Sequence, residues 1–503
     1  MYQSASATVL YGDLTIAWSQ IVEFGLLFAS LPDLGSVFST LAPRIIDSFN
    51  LIWSTYENPR TWRTELPLTR ALSKQSRSTS AEQLALRSSR SLSSSASHFL
   101  NVLVAGSAKS ATDPRDFVYA FLGHPAAQSP SGKGTIVPAN YSASVSKAYR
   151  DVALYLLRDM NSLLLLSVVR HSPTTIDDGL MPSWVPRWNN SFFCAIISPL
   201  PGYDSWYDAT RFVETRDEIL IKSHCFTSTA SKANGRLSVR GLVIDIVRWG
   251  SRTMHYDDLI RPTKEQMDDG TTQNPVEAIW EAVTSLPDQS DNNTNGKTLG
   301  MRTRFMSKKR KLLDTKKAQD GQKPKQRKLC QEIPANCDTN LNGSNSPYAD
   351  NVDAFSLTLT AGVLRGKLAA EDFLQEFRAH FIAHCQDLCS HEFASRTELQ
   401  TRVTAESGSK GVAARFSRVA GRHCSNRRFF ASEKGYYGIG PQVMWQGDVC
   451  CVLFGARVPF ILRPVQGRMY QLLGESYVHG TMRGEVVNLW KKGILAVEEF
   501  DLC

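Results

Sequence analysis

Four stretches carry residue types whose spacing could do chemistry. The first is GDVCCVLFGARVPFILRPV, residues 447–465, with adjacent Cys450 and Cys451 in an otherwise apolar run. A paired thiol site needs both sulfurs on one side. The run reads instead as a hairpin: GDVCCVLF as one strand, Gly455-Ala456 as a two-residue turn and RVPFILRP as the return. Neighbours on a strand point to opposite faces, so Val449, Cys451 and Leu453 line one face and Cys450, Val452 and Phe454 the other. Both faces are apolar, which predicts a strand covered on both sides, with the cysteines as small hydrophobes.

The second stretch, HFIAHCQDLCSH (380–391), has zinc-type ligands. At 100° per residue His380, His384 and His391 share one side of a helix while Cys385 and Cys389 fall elsewhere, so one helix cannot converge them on a metal. No metal site is expected. The third, GESYVHG (474–480), sets Glu475, Tyr477 and His479 at period two. On a strand they share a face, which predicts a small binding patch; the competing reading is a strand end with a structurally hydrogen-bonded histidine. The fourth, SPSGKGT (129–135), fails as a phosphate loop, because Ala127 stands where the first Gly is needed and Gly134 where Ser or Thr is. GYYGIGP (435–441) lacks the third glycine of a dinucleotide turn. G-x-S-x-G and H-E-x-x-H are absent. The expectation is a protein that is not an enzyme, has no catalytic residues and takes no cofactor.

The 503 residues carry a net charge of +9, with 42% apolar and 21% charged residues. The charge is local: residues 302–328 hold twelve Lys and Arg against Asp314 and Asp320, and everything else sums to −1. Within that segment Lys308, Lys309, Arg310, Lys311 and Lys323, Lys325, Arg327, Lys328 form two clusters across a polar spacer, the pattern of a bipartite nuclear-import signal. A solvated linker and nucleic-acid contact are the other readings; no aromatics are interleaved to stack on bases. No run of 18 apolar residues occurs, so no membrane span is expected. The N-terminus has no secretory pattern, and ten cysteines lack any C-x-x-C pair. Both point to reduced thiols and a cytoplasmic or nuclear location.

The elements that must position these residues divide the chain as follows. Residues 1–72 read as helical (Trp18, Ile21, Val22 and Phe28 at helical spacing), and 73–98 as a flexible insert with eleven serines. Residues 99–284 read as an α+β region. In ATDPRDFVYAFLG, Asp113 suits an N-cap and Pro114 the first helical position. Val145, Ala148, Tyr149, Val152, Tyr155 and Leu156 mark an amphipathic helix. SLLLLSVV (162–169) continues it or forms a buried strand, and ILIKSHCF and RLSVRGLVIDIV read as strands. Residues 285–350 read as a disordered basic insert, 351–395 as helical, 396–426 as a weakly ordered linker and 427–503 as a C-terminal β module. The fold class is α+β, a helical N-terminal half followed by a mixed strand-rich region ending in that module.

ATDPRDFVYAFLG, IVPANYSASVSKAYRDVALYLL, MPSWVPRW, LSVRGLVIDIV and RRFFASEKGYYGIGP…GDVCCVLFGARVPFILRP…YQLLGESYVHGTMRGE together resemble the fungal heterokaryon-incompatibility (HET-domain) proteins. The resemblance covers most of the chain outside the low-complexity inserts. It departs at two points. Arg187 stands in MPSWVPRW where the family commonly shows an acidic or amide residue. The HET domain's Y-x-x-L-S-Y-x-W-G and W-I-D-A-x-C-I-N-Q runs are absent, and SATVLYGDLTIAWSQI (6–21) resembles the segment following that domain. The resemblance therefore implies the downstream portion, with the HET domain largely missing. That domain is similar to TIR domains, some of which cleave NAD; no residue of such a site maps onto this sequence. The implied function is self/non-self recognition leading to programmed cell death, through a non-catalytic regulatory or protein-interaction region. The implied partner is another protein. The alternative is a nuclear protein contacting nucleic acid through 302–328.

Overall fold

The computed structural model describes residues 8–11, 13–17, 95–107, 109–129, 134–160, 162–190, 196–198, 207–211, 235–259, 275–286, 346–364, 367–368, 377, 379, 413–466 and 468–503. In chain order these form β1 (Thr8–Tyr11), β2 (Leu14–Ala17), α1 (Ser95–Gly106), α2 (Asp116–Tyr119), α3 (Val145–Met160), β3 (Leu237–Gly250), α4 (Pro275–Thr284), α5 (Asn351–Leu359), β4 (Val363–Leu364), β5 (Lys367–Leu368), α6 (Ala413–Cys424), β6 (Arg427–Ser432), β7 (Tyr437–Pro441), β8 (Val449–Leu453), β9 (Phe460–Gln466), β10 (Met469–Glu475), β11 (Tyr477–Val478), α7 (Glu485–Lys491) and β12 (Glu498–Leu502).

RLSVRGLVIDIV is the strand on which the sheet is built. β3 pairs with β12 through Leu237–Gly241, with β8 through Gly241–Ile246 and with β6 through Val247–Gly250, always antiparallel. Around it the order is β11-β7-β6-β3-β12-β10-β9-β8, and the β3–β8 pairing closes β3, β12, β10, β9 and β8 into a ring. Closure satisfies the backbone groups that an edge strand would leave open. At Gly241 both neighbours meet, and a Cβ there would lie 2.4 Å from the Val452 carbonyl. The C-terminal β module is thus not confined to 427–503: its central strand comes from the region read as 99–284. Strand pairing over some two hundred residues of separation leaves no local mark in a sequence.

The two faces of β8 divide as its alternation predicts. Val449, Cys451 and Leu453 belong to one apolar cluster, and Cys450, Val452 and Phe454 to the other. The turn differs from the expected two residues. Cys451 pairs with Phe460, and 454–459 form the connection. Buried Ala456 and Val458 pull the loop into the core, and the Leu163 N–H donates to the Gly455 carbonyl at 3.1 Å.

A helical layer covers one face. SLLLLSVV neither continues α3 nor forms a strand. It is a buried 3-10 helix, Leu163–Val168, capped by the Ser162 hydroxyl, which accepts from the Leu164 N–H at 3.2 Å. The DPRD run knots this layer: Asp113 accepts from the Arg115 N–H at 2.9 Å, Tyr149 donates to the Pro114 carbonyl at 2.6 Å and Tyr141 donates to Asp116 at 2.6 Å. Asp113 therefore caps a turn, and α2 begins only at Asp116.

Three further boundaries move. Residues 8–11 and 14–17, read as helical, pair as antiparallel strands, Tyr11 opposite Leu14; the Gly-Asp dipeptide between them in the sequence is a hairpin signal that outweighs helical spacing. Within the stretch read as a linker, Ala413–Cys424 is helical and buries Phe416, Ala420 and Cys424, which recur every fourth residue. The end of the basic insert is ordered too. Asp350 caps α5 by accepting from Val352 N–H at 2.7 Å, and Tyr348 packs against the sheet. Residues 18, 21, 22, 28, 73–94 and 219–226 lie outside the described residues.

Candidate functional site

Arg427 opens β6, and its side chain reaches the end of β10. Its guanidinium donates to the Glu475 carboxylate at 2.9 Å and to the Glu475 carbonyl at 3.0 Å. The same carboxylate accepts from the Ile197 and Ser198 amides at 2.6 and 3.0 Å. Their side chains are 4% and 3% exposed. Burial pushes the Glu475 carboxyl up, while Arg427 and the two amides pull it down. Every contact of this carboxylate is to a donor, the arrangement an ionised carboxylate needs, and its accepting capacity is largely used.

The pair forms one wall of a small cleft completed by Ser167, Val169, Arg170, His171, Asn426 and Gln442. The enclosed space is about 20 Å³, room for a single water. His171 Nε2 meets the Ser183 carbonyl at 2.9 Å, so that nitrogen is the donor and Nδ1 the acceptor. Burial holds His171 down to about 4, so it stays neutral near pH 7.

The patch expected at Glu475, Tyr477 and His479 is divided. Tyr477 and His479 come together, the phenol and Nδ1 lying 3.0 Å apart, while Glu475 is committed to Arg427. The cause is a break in the strand. β10 ends at Glu475, and β11 leaves β9 as a neighbour and pairs with β7. A register shift at Leu472/Gly474, with Gly474 at φ +142, precedes the break. His479 packs edge-on to Tyr348 at 5.2 Å, and burial lowers it to about 4. Tyr348 receives the Tyr437 N–H at 2.7 Å and donates to the His479 carbonyl at 3.2 Å. Tyr348, Tyr437, Tyr477 and His479 thus form a packed aromatic cluster.

Cys450 and Cys451 are buried on opposite faces, and burial pushes both thiols up. Among the described residues no group of three His, Cys, Asp or Glu is placed to hold a metal. His380, His384, Cys385, Cys389, His391 and the basic residues Lys308, Lys309, Arg310, Lys311, Lys323, Lys325, Arg327 and Lys328 lie outside the described residues. Sequence reasoning missed Arg427, the partner of Glu475, and a surface pair, Arg428 beneath Trp445 with the guanidinium carbon 4.5 Å from the ring centroid. The available signals were two arginines opening a strand and a tryptophan beside the Gln446-Gly447-Asp448 turn.

A ring of strands closed by β3, with a helical layer on one face and α7 packed on the other, defines a β-barrel module. Residues 376–493 match the model of the Het-6 beta-barrel domain. The chain is also similar to heterokaryon incompatibility protein 6, OR allele, of Neurospora crassa, 39% identical over 70 residues, which is 13% of this chain and 10% of that relative. The chain thus spans about 10% of the length of that curated relative. No solved structure matches. Both matches are to proteins of fungal heterokaryon incompatibility, which supports the resemblance read from the sequence. The matched span contains β6 to β11 and leaves out β3 and β12, two strands of the ring. No helix among the described residues is long and apolar enough to cross a membrane.

Proposed function

We propose that this chain serves fungal self/non-self recognition, that its barrel contacts another protein, and that it catalyses no reaction. The supporting observation is the match of 376–493 to the Het-6 barrel domain, over a site whose carboxylate and guanidinium are engaged with each other. A buried carboxylate held by three donors stabilises a fold and has little capacity left for proton transfer. The test is expression of the full chain, and of a form lacking β6 to β12, in Neurospora crassa strains of differing incompatibility type. Incompatibility that depends on the barrel supports the reading. NAD hydrolysis at enzyme-like rates by the purified chain overturns its non-catalytic part.

The +10 segment at 302–328 supports a second reading, nuclear import with nucleic-acid contact. It predicts binding that weakens about a thousandfold or more between 50 and 200 mM salt and disappears when 302–328 is deleted.

A further inference from the structure

Trp445 stands out on the barrel surface. Its neighbours Val443 and Met444 are buried, and the turn is locked by Asp448, which accepts from the Trp445 N–H at 2.6 Å. The indole is left 58% exposed. One face of it lies against the Arg428 guanidinium, whose Nη1 donates to the Met444 carbonyl at 3.2 Å. No carboxylate among the described residues pairs with Arg428. The nearby Asp448 is taken by Arg463, through bonds of 2.9 Å from Nε and Nη2. Arg463 in turn repels Arg428, and with burial as the larger cause the two hold the Arg428 proton less tightly than usual.

A half-buried guanidinium with no counter-charge is a costly arrangement unless something external supplies one. We infer that Trp445 and Arg428 form a recognition contact for an acidic segment of a partner protein. A partner carboxylate pairs with Arg428, and the aliphatic part of the same segment lies on the open face of Trp445. Tryptophan and arginine are the side chains that most often dominate binding at protein interfaces. An acidic protein segment fits better than nucleic acid. Outside 302–328 the chain sums to −1, so no broad positive field draws a polyphosphate. The platform is one indole with a face already occupied, too little to stack successive bases.

The contact rests on the protein-binding reading above, and its test is local. The ten tryptophans of the full chain are replaced by 5-fluorotryptophan, and the residue 445 resonance is assigned with W445F. Basic residues of 308–328 are changed to Gln, so that the segment does not capture the probe. A short Glu- and Leu-containing peptide, its Lys counterpart and poly(U) are then titrated. The expected result is a shift of the 445 resonance with the Glu peptide alone, with R428Q and W445A each weakening binding by roughly tenfold or more. R428K keeps the charge, loses the planar stack and falls between. An unmoved 445 resonance, wild-type affinity in a folded R428Q, or a shift by poly(U) without one by the Glu peptide overturns the inference. If the resonance stays fixed while the chain still triggers incompatibility, this contact fails and the wider reading stands. If it shifts while incompatibility is absent, the reverse holds.

Discussion

Replacing Glu475 by Gln tests whether the buried pair builds the fold or serves a ligand. Gln conserves volume, so the side chain still fits its site. It removes the negative charge that answers Arg427, and its NH2 group must face one of three donors: Arg427, the Ile197 amide or the Ser198 amide. A guanidinium cannot escape by losing its proton. Breaking one partner of a buried pair costs about 3–5 kcal/mol, a large part of the roughly 5–15 kcal/mol that holds a domain together. In urea titrations followed by tryptophan fluorescence, E475Q is expected to lower the midpoint by that equivalent with an unchanged slope. A loss under about 1 kcal/mol would refute the reasoning. Glu475 would then be a group the fold does not need, and the cleft would regain its claim as a binding site.

Three further outcomes follow from the same geometry. G241A drives a Cβ to 2.4 Å from the Val452 carbonyl where two strands meet, and should cost about 1–3 kcal/mol by the same titration, whereas G447A, with open space around it but φ +93, should cost less. His171 and His479 are both held to about 4 by burial, below their unfolded value near 6.5. Their contribution is therefore present above pH 6.5 and lost as pH falls toward 4, about 2 kcal/mol per histidine between pH 6.5 and 5, and H171Q should flatten the stability-versus-pH curve. The Cys450 and Cys451 thiols are buried and pushed up, so iodoacetamide mapped by mass spectrometry should modify partly exposed Cys503 before either of them.

What could be read in advance follows the range of the forces involved. Alternation on β8 predicted which residues face which cluster, because strand geometry acts between neighbours. β3 and α3 were legible for the same reason, with strong period-two and period-3.6 patterns. The 454–459 loop was not legible. Its length is set by Leu163 bonding Gly455 from almost three hundred residues away, and a turn pattern carries no trace of that. The candidate site divides along the same line. Period two placed Glu475, Tyr477 and His479 on one face, but the strand changes partner at Ser476. The residue that answers Glu475 stands 48 positions earlier.

The two arginines that open β6 show why we place the proposed recognition surface at Trp445 rather than in the cleft. They are adjacent on a strand, so their side chains leave on opposite faces. Arg427 turns toward the helical layer and meets Glu475, where its charge is neutralised without access to solvent. Arg428 turns toward the loop before β8 and finds an indole and a carbonyl, but no carboxylate. A buried ion is stabilised by its partner and loses energy when either is displaced, so Arg427 has little to offer a ligand. A cation lacking a counter-charge gains by acquiring one, and an exposed indole gains by being covered. On the proposed reading, one dipeptide carries a structural ion and a recognition ion. The partner available to each guanidinium, rather than its residue type, decides which role it takes.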